Sequence, residues 1–126
     1  MSRKRLVLLL PLLYALAIAV LSHMPVLQTP QTLPWSDKLL HALLYAGFGT
    51  CLLLSVSTHR PHWRRWQLWG TVLFLGALYA AIDEWHQRFV PDRIPDVTDW
   101  AADVAGLTAS LLLSRLWLPW WMQTLR

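Results

Sequence analysis

Four long apolar stretches leave this chain few ways to fold. Leu6 to Ser22, Leu39 to Val56, Trp66 to Ile82 and Trp100 to Leu118 each lie near the minimum of about 17 to 20 residues that a helix needs to cross a bilayer. With 56% hydrophobic and 14% charged residues over 126 positions, too few polar side chains exist to cover a soluble surface. Four crossings also use up the length. The expected architecture is an all-α, polytopic membrane protein: a single domain over residues 1–126, folded as a four-transmembrane-helix bundle. The fourth stretch departs most from a plain crossing, because Asp103 and Arg115 bracket only the eleven uncharged residues 104–114. Arg115 would have to reach back to the interface. The first stretch also imitates a secretory signal, with Arg3, Lys4 and Arg5 ahead of a leucine-rich run and small residues at Ala15, Ala17 and Ala19. Cleavage there would leave three spans in the same orientation.

The segments between the stretches differ in chemistry. Residues 23–36 contain Pro25, Pro30 and Pro34, which oppose a regular helix. Residues 57–65 form a short basic hairpin with Arg60, Arg64 and Arg65, and residues 86–98 hold Pro91 and Pro95 among mixed charges. Alternating crossings sort the charges. Arg3, Lys4, Arg5, Arg60, Arg64, Arg65, Arg115 and Arg126 fall on one face with no acid. Asp37, Asp83, Glu84, Asp92, Asp96, Asp99 and Asp103 fall on the other, with only Lys38, Arg88 and Arg93 beside them. The positive-inside rule then puts both termini in the cytoplasm. The net charge of +4 is explained by this sorting and calls for no nucleic-acid partner. All nine tryptophans lie at the ends of stretches, as an interfacial belt requires: Trp35, Trp85 and Trp100 on the acidic side, and Trp63, Trp66, Trp69, Trp117, Trp120 and Trp121 on the basic side.

Ionisable residues at the edge of the hydrocarbon are costly, so they turn towards protein or a wet cavity. Asp37, His41 and Tyr45 follow one another at four-residue steps and share a helix face, with about 6 Å of rise per step. Glu84 and Gln87 are three apart, and Asp99 and Asp103 four apart at the amino end of the last helix, where the helix dipole favours anions. Polar stripes from three helices thus converge on one membrane face, with Lys38, Arg88 and Arg93 as the bases at hand. Asp37 after Ser36 and Asp99 after Thr98 also suit simple helix starts. Lys38 also suits an interfacial anchor, and His23, His59, His62 and His86 suit solvated loops. His41 needs a partner at its depth, and Asp37 is the nearest in sequence.

Familiar catalytic signatures are missing. There is no phosphate-binding glycine loop, no HExxH helix and no G-x-S-x-G turn. Glu84 and His86 are two apart, which does not make the Glu-x-x-His pair of a di-metal bundle. Cys51 lacks spaced partners for zinc and reads as a packed thiol. No resident metal or cofactor is therefore expected. Gly47 and Gly49, and the Gly106–Ser110 step, suit close helix packing.

In their order, four short motifs resemble the VanZ-like family of small bacterial membrane proteins, and the likeness covers most of the chain. They are Ser22-His23-Met24-Pro25, then Asp37-Lys38-x-x-His41-x-x-x-Tyr45, then Glu84-x-x-Gln87-x-Phe89-Val90-Pro91-x-Arg93, and finally Asp99-x-x-x-Asp103-x-x-Gly106. The chain departs from the family's pattern at Ala42, where an aromatic residue is usual, at Asp103, where the family has asparagine, and at Asp92, where glycine is common. The resemblance implies a multi-pass protein of the bacterial cell envelope, in the inner membrane of a cell that has two. The family is named for low-level resistance to the glycopeptide antibiotic teicoplanin.

Three functions follow as expectations. In the first, Asp37, Lys38, His41, Tyr45, Glu84, Gln87, Arg93, Asp99 and Asp103 hold a membrane lipid or a lipid-linked envelope ligand, with Arg93 at its phosphate or carboxylate. In the second, His41, Glu84, Asp99 and Asp103 are the catalytic candidates of a membrane-embedded hydrolase or transferase, alone or around a divalent cation. The third is an ion-coupled carrier. It lacks an ionisable relay across the second and third spans, and four helices would have to form a homo-oligomer to make a pathway.

Overall fold

The computed structural model describes residues 3–23, 36–91 and 94–124, and among these the chain is all helical, with no strand. Helix α1 is Arg3–Ser22, α2 Ser36–His59, α3 Arg65–His86 and α4 Val97–Gln123, with one 3-10 turn at Gln87–Phe89 after α3. Three of the four, Lys4–Ser22 within α1, α2 and α4, are long and apolar enough to cross a membrane. The fourth stretch, which departs most from a plain crossing because Asp103 and Arg115 bracket its uncharged part, belongs to the longest helix. Helix α3 is 22 residues long, but Trp66, Gln67, Trp69, Gly70 and Tyr79 lower its mean hydropathy.

Each helix outruns its apolar stretch. Helix α2 begins at Ser36 rather than Leu39, α3 continues through Asp83 and Glu84, and α4 starts at Val97 and passes Pro119 to reach Gln123. Apart from residues 119–123 of α4, which are mostly apolar, the extra turns are polar, and partners for their groups keep them helical. Asp96 caps α4, its Oδ1 accepting from Thr98 N at 2.8 Å. At the far end of α2, Ser57 and Thr58 hydroxyls donate to the Leu54 carbonyl at 3.2 and 2.7 Å. The expected hairpin at 57–65 is therefore non-helical only over 60–64. Gln67 Oε1 accepts from Arg64 N at 2.9 Å as α3 begins. Pro25, Pro30, Pro34 and Trp35 lie outside the described residues.

Helices α2 and α4 run parallel and form the closest pair. A Cβ at Gly106 would strike the backbone carbonyl of Ala42, and one at Gly49 the hydroxyl of Ser110. The glycines thus let two backbones meet as the small-residue spacing suggested. Gly47 makes room for the Tyr14 hydroxyl of α1 in the same way. Helix α1 joins α3 through Tyr79, whose hydroxyl donates to the Ala15 carbonyl at 2.6 Å. The buried centre contains Ile18, Tyr45, Phe48, Leu53, Val72 and Leu107. Outside it, Leu12, Leu13, Leu16, Leu43, Leu113 and Leu116 are exposed. Apolar residues on both the inner and outer faces are what a lipid-embedded bundle presents. Arg115 lies over the Trp69 ring, 5.1 Å from its centroid, so a cation–π contact receives it as it leaves the apolar zone. Cys51 is half-buried on α2 and forms no disulfide.

Candidate functional site

At one end of the bundle, the carboxyl ends of α1 and α3 meet the amino ends of α2 and α4. The parallel pairing of α2 with α4 sets two of these contacts in register, one turn apart. Lys38 Nζ donates to Asp96 Oδ2 at 2.9 Å and also contacts Asp99 Oδ1. One turn deeper, His41 Nδ1–H donates to Asp103 Oδ1 at 2.9 Å, and its Nε2 lies 3.8 Å from Asp99 Oδ2. His41 therefore pairs with α4 and not with Asp37, the neighbour expected from sequence. The cause is the Ala42–Gly106 approach, which brings the α4 carboxylates to the His41 face of α2.

Helix α3 closes the cluster from the other side. Glu84 Oε1 accepts from Asp96 N at 2.6 Å, so the residue that caps α4 is itself anchored to α3. Trp100 Nε1 donates to the Ala77 carbonyl at 3.1 Å and tightens the same junction. Asp83 accepts from the Ser22 hydroxyl of α1 at 2.7 Å and also bonds Gln87. One hydrogen-bonded path thus crosses from α3 to α4 to α2, and a second joins α1 to α3. The carboxylates are sequestered: Glu84 is 8% exposed and Asp103 2%. Asp96 lies outside the helices, and its carboxyl sits below the usual carboxylate range because Thr98 N–H, and then Lys38, bind the charged form.

Two cavities adjoin this network. The larger, about 560 Å³, lies between α3 and α4, and its walls include Glu84, Trp85, Arg88, Asp96 and Trp100. A small one of about 40 Å³ is lined by Ser22, Asp37, His41 and Gln87, room for a water-sized occupant. Donor atoms of Asp37, His41 and Asp99 all lie within 4.8 Å of one another and could hold a metal ion.

The structure brings together Asp37, Lys38, His41, Glu84, Gln87, Asp99 and Asp103. Tyr45 follows on the same face, 1% exposed, and its hydroxyl has no hydrogen-bond partner among the described residues. Arg88 is exposed and forms no ion pair among the described residues. Arg93, expected at a ligand's phosphate, lies outside the described residues, as does Asp92. His59 and His86 end α2 and α3 rather than sitting in loops; His59 Nδ1 bonds the Ser55 carbonyl at 2.8 Å, and the His86 ring lies 4.7 Å from that of His23.

Three members were not among the site residues expected from sequence: Ser22, although it opens the first of the four motifs, Asp83 and Asp96. Asp96 carried a readable signal, a cap residue three before Asp99 at a helix start. Asp83 adjoins Glu84, but no periodicity tells that both faces of that turn are buried. Ser22 needed the α1–α3 contact to be known.

No curated protein and no solved structure matches the chain. The sequence profile described as VanZ/LLP1 matches residues 2–118, a span containing every residue of this cluster, and the chain belongs to that family.

Proposed function

We propose that this is a multi-pass protein of the bacterial cell membrane, inner where there are two. The polar end of its bundle faces away from the cytoplasm and holds the headgroup of a membrane lipid or a lipid-linked envelope ligand. The observation that carries the reading is the cavity of about 560 Å³ between α3 and α4. It combines ionic side chains with two tryptophans at one end of a bundle whose outer surface is apolar. Lipid headgroups meet such a combination where a membrane protein leaves the hydrocarbon. Helix α3, at 22 residues, is about 33 Å long and packs against α2 and α4, which supports reading it as the fourth crossing. Both termini then lie in the cytoplasm. Arg93 remains a candidate contact for the ligand's phosphate.

Native mass spectrometry of protein extracted from membranes tests this. Wild type should carry phospholipid-sized adducts, and Arg88→Ala combined with Trp100→Ala should lose most of them. Equal lipid retention by the variant and unchanged envelope phenotypes would overturn the reading. Expression that raises or leaves unchanged the inhibitory concentration of teicoplanin decides separately whether this member protects against that drug.

A second reading, a hydrolase or transferase acting on a lipid-linked substrate through Glu84, His41 and Asp99 or Asp103, is favoured by one arrangement. His41 is oriented by Asp103 while its Nε2 faces Asp99 and the donor set that includes Asp37, the way a carboxylate–histidine pair presents a ligand nitrogen. Metal analysis of the purified protein, with assays on lipid-linked substrates, separates it from simple binding.

A further inference from the structure

Resting on the headgroup reading, we infer that the cavity between α3 and α4 selects a zwitterionic headgroup bearing a primary ammonium next to its phosphate. The charge around it argues against an anionic lipid. Among the described residues this end of the bundle gathers six carboxylates, Asp37, Asp83, Glu84, Asp96, Asp99 and Asp103, against two permanent cations, Lys38 and Arg88. Lys38 is already committed to Asp96 and Asp99. A ligand with net negative charge would enter a negative field, whereas one that brings its own cation is attracted by it.

The walls supply a partner for each half of such a headgroup. Glu84 offers the anion. Its Oε1 is taken by Asp96 N, and its Oε2 accepts no hydrogen bond among the described residues, so one carboxylate oxygen is left for an ammonium N–H. Arg88, four residues further on and exposed, offers a guanidinium fork for the phosphate. Trp85 and Trp100 stand at the same cavity. Because Trp100 Nε1–H is used on Ala77, that side chain is left to present its ring, to which a cation is drawn. At about 560 Å³ the space falls in the usual range for a small polar ligand. A quaternary ammonium has no N–H for Glu84, so the site distinguishes phosphatidylethanolamine from phosphatidylcholine as well as from phosphatidylglycerol.

The test is a titration of the detergent-purified full chain with these three lipids, carrying identical acyl chains, read by native mass spectrometry. Phosphatidylethanolamine should bind about tenfold more tightly than either of the others, the order of one charge-assisted hydrogen bond. Glu84→Gln keeps a carbonyl oxygen for Asp96 N and should abolish that preference, Glu84→Asp should retain part of it, and exposed Arg88→Gln should weaken all three lipids alike. Equal binding of the three lipids, a preference for phosphatidylglycerol, or selectivity that survives Glu84→Gln would overturn the inference while leaving headgroup binding in place. Failure of wild type to bind any of the lipids would overturn the headgroup reading with it. Should Glu84→Gln fail to fold, the wild-type selectivity and the Arg88→Gln titration still decide.

Discussion

Asp96 carries three duties within one residue: it caps α4, receives Lys38, and ties its own backbone to Glu84. Its carboxyl is held below its ordinary pKa by the Thr98 N–H and by Lys38. A depressed pKa means that its stabilisation is fully present above the unfolded value, near about 4, and is lost as pH falls through the lower folded value. The thermal stability advantage of wild type over Asp96→Ala in detergent should therefore be constant from neutral pH down to about pH 5 and shrink below about pH 4. An advantage that grows on acidification would refute the assignment. Deeper in the bundle, His41 and Asp103 are coupled by a hydrogen bond in a region from which water is largely excluded. A double-mutant cycle with His41→Ala and Asp103→Ala should return a coupling of about 0.5–3 kcal/mol, while Asp37→Ala should couple weakly to His41→Ala because the histidine pairs with α4.

The helices themselves are held by how closely α2 and α4 approach. Gly106→Val would push a side chain into the Ala42 carbonyl, and since two backbones and not a flexible side chain must yield, a loss of about 1–3 kcal/mol or more is expected. The midpoint of denaturant-induced unfolding in mixed micelles reads this. Gly70→Ala, at a position open to space, is the control and should be neutral or slightly stabilising. Much of this level was legible beforehand. The apolar stretches located the helices, the four-residue steps of Asp37, His41 and Tyr45 predicted a shared face, and Gly106 with Ser110 predicted a tight contact. What periodicity could not supply was rotation of one helix against another. That is why sequence spacing pairs His41 with Asp37 on its own helix, and why it cannot pair Ser22 with Asp83, two helices further along the chain. Counting apolar residues also sets the helix ends short, because it misses polar turns that remain helical through caps and ion pairs.

Across the whole molecule, the arrangement depends on α3. If α3 crosses, residues before it and after it lie on opposite sides of the membrane, and the acidic end is sorted by the bilayer as well as by packing. Helix α3 is the one helix whose composition falls short of a plain span, but its shortfall comes from tryptophans, glycines and the polar residues at its ends, Arg65, Gln67, Asp83 and Glu84, rather than from charge in its middle. Tryptophan favours the interface, and glycine is common in membrane helices. Single-cysteine variants His62→Cys and Phe89→Cys, each in a Cys51→Ser background, place the question directly, since both positions are exposed. A membrane-impermeant maleimide applied to intact cells, or to spheroplasts where an outer membrane intervenes, should label position 89 and not position 62, and lysis should make both reactive. Labelling of both positions, or of neither, before lysis would mean that α3 does not cross. The headgroup cavity would then lose its sidedness, and an envelope ligand would have no reason to meet it.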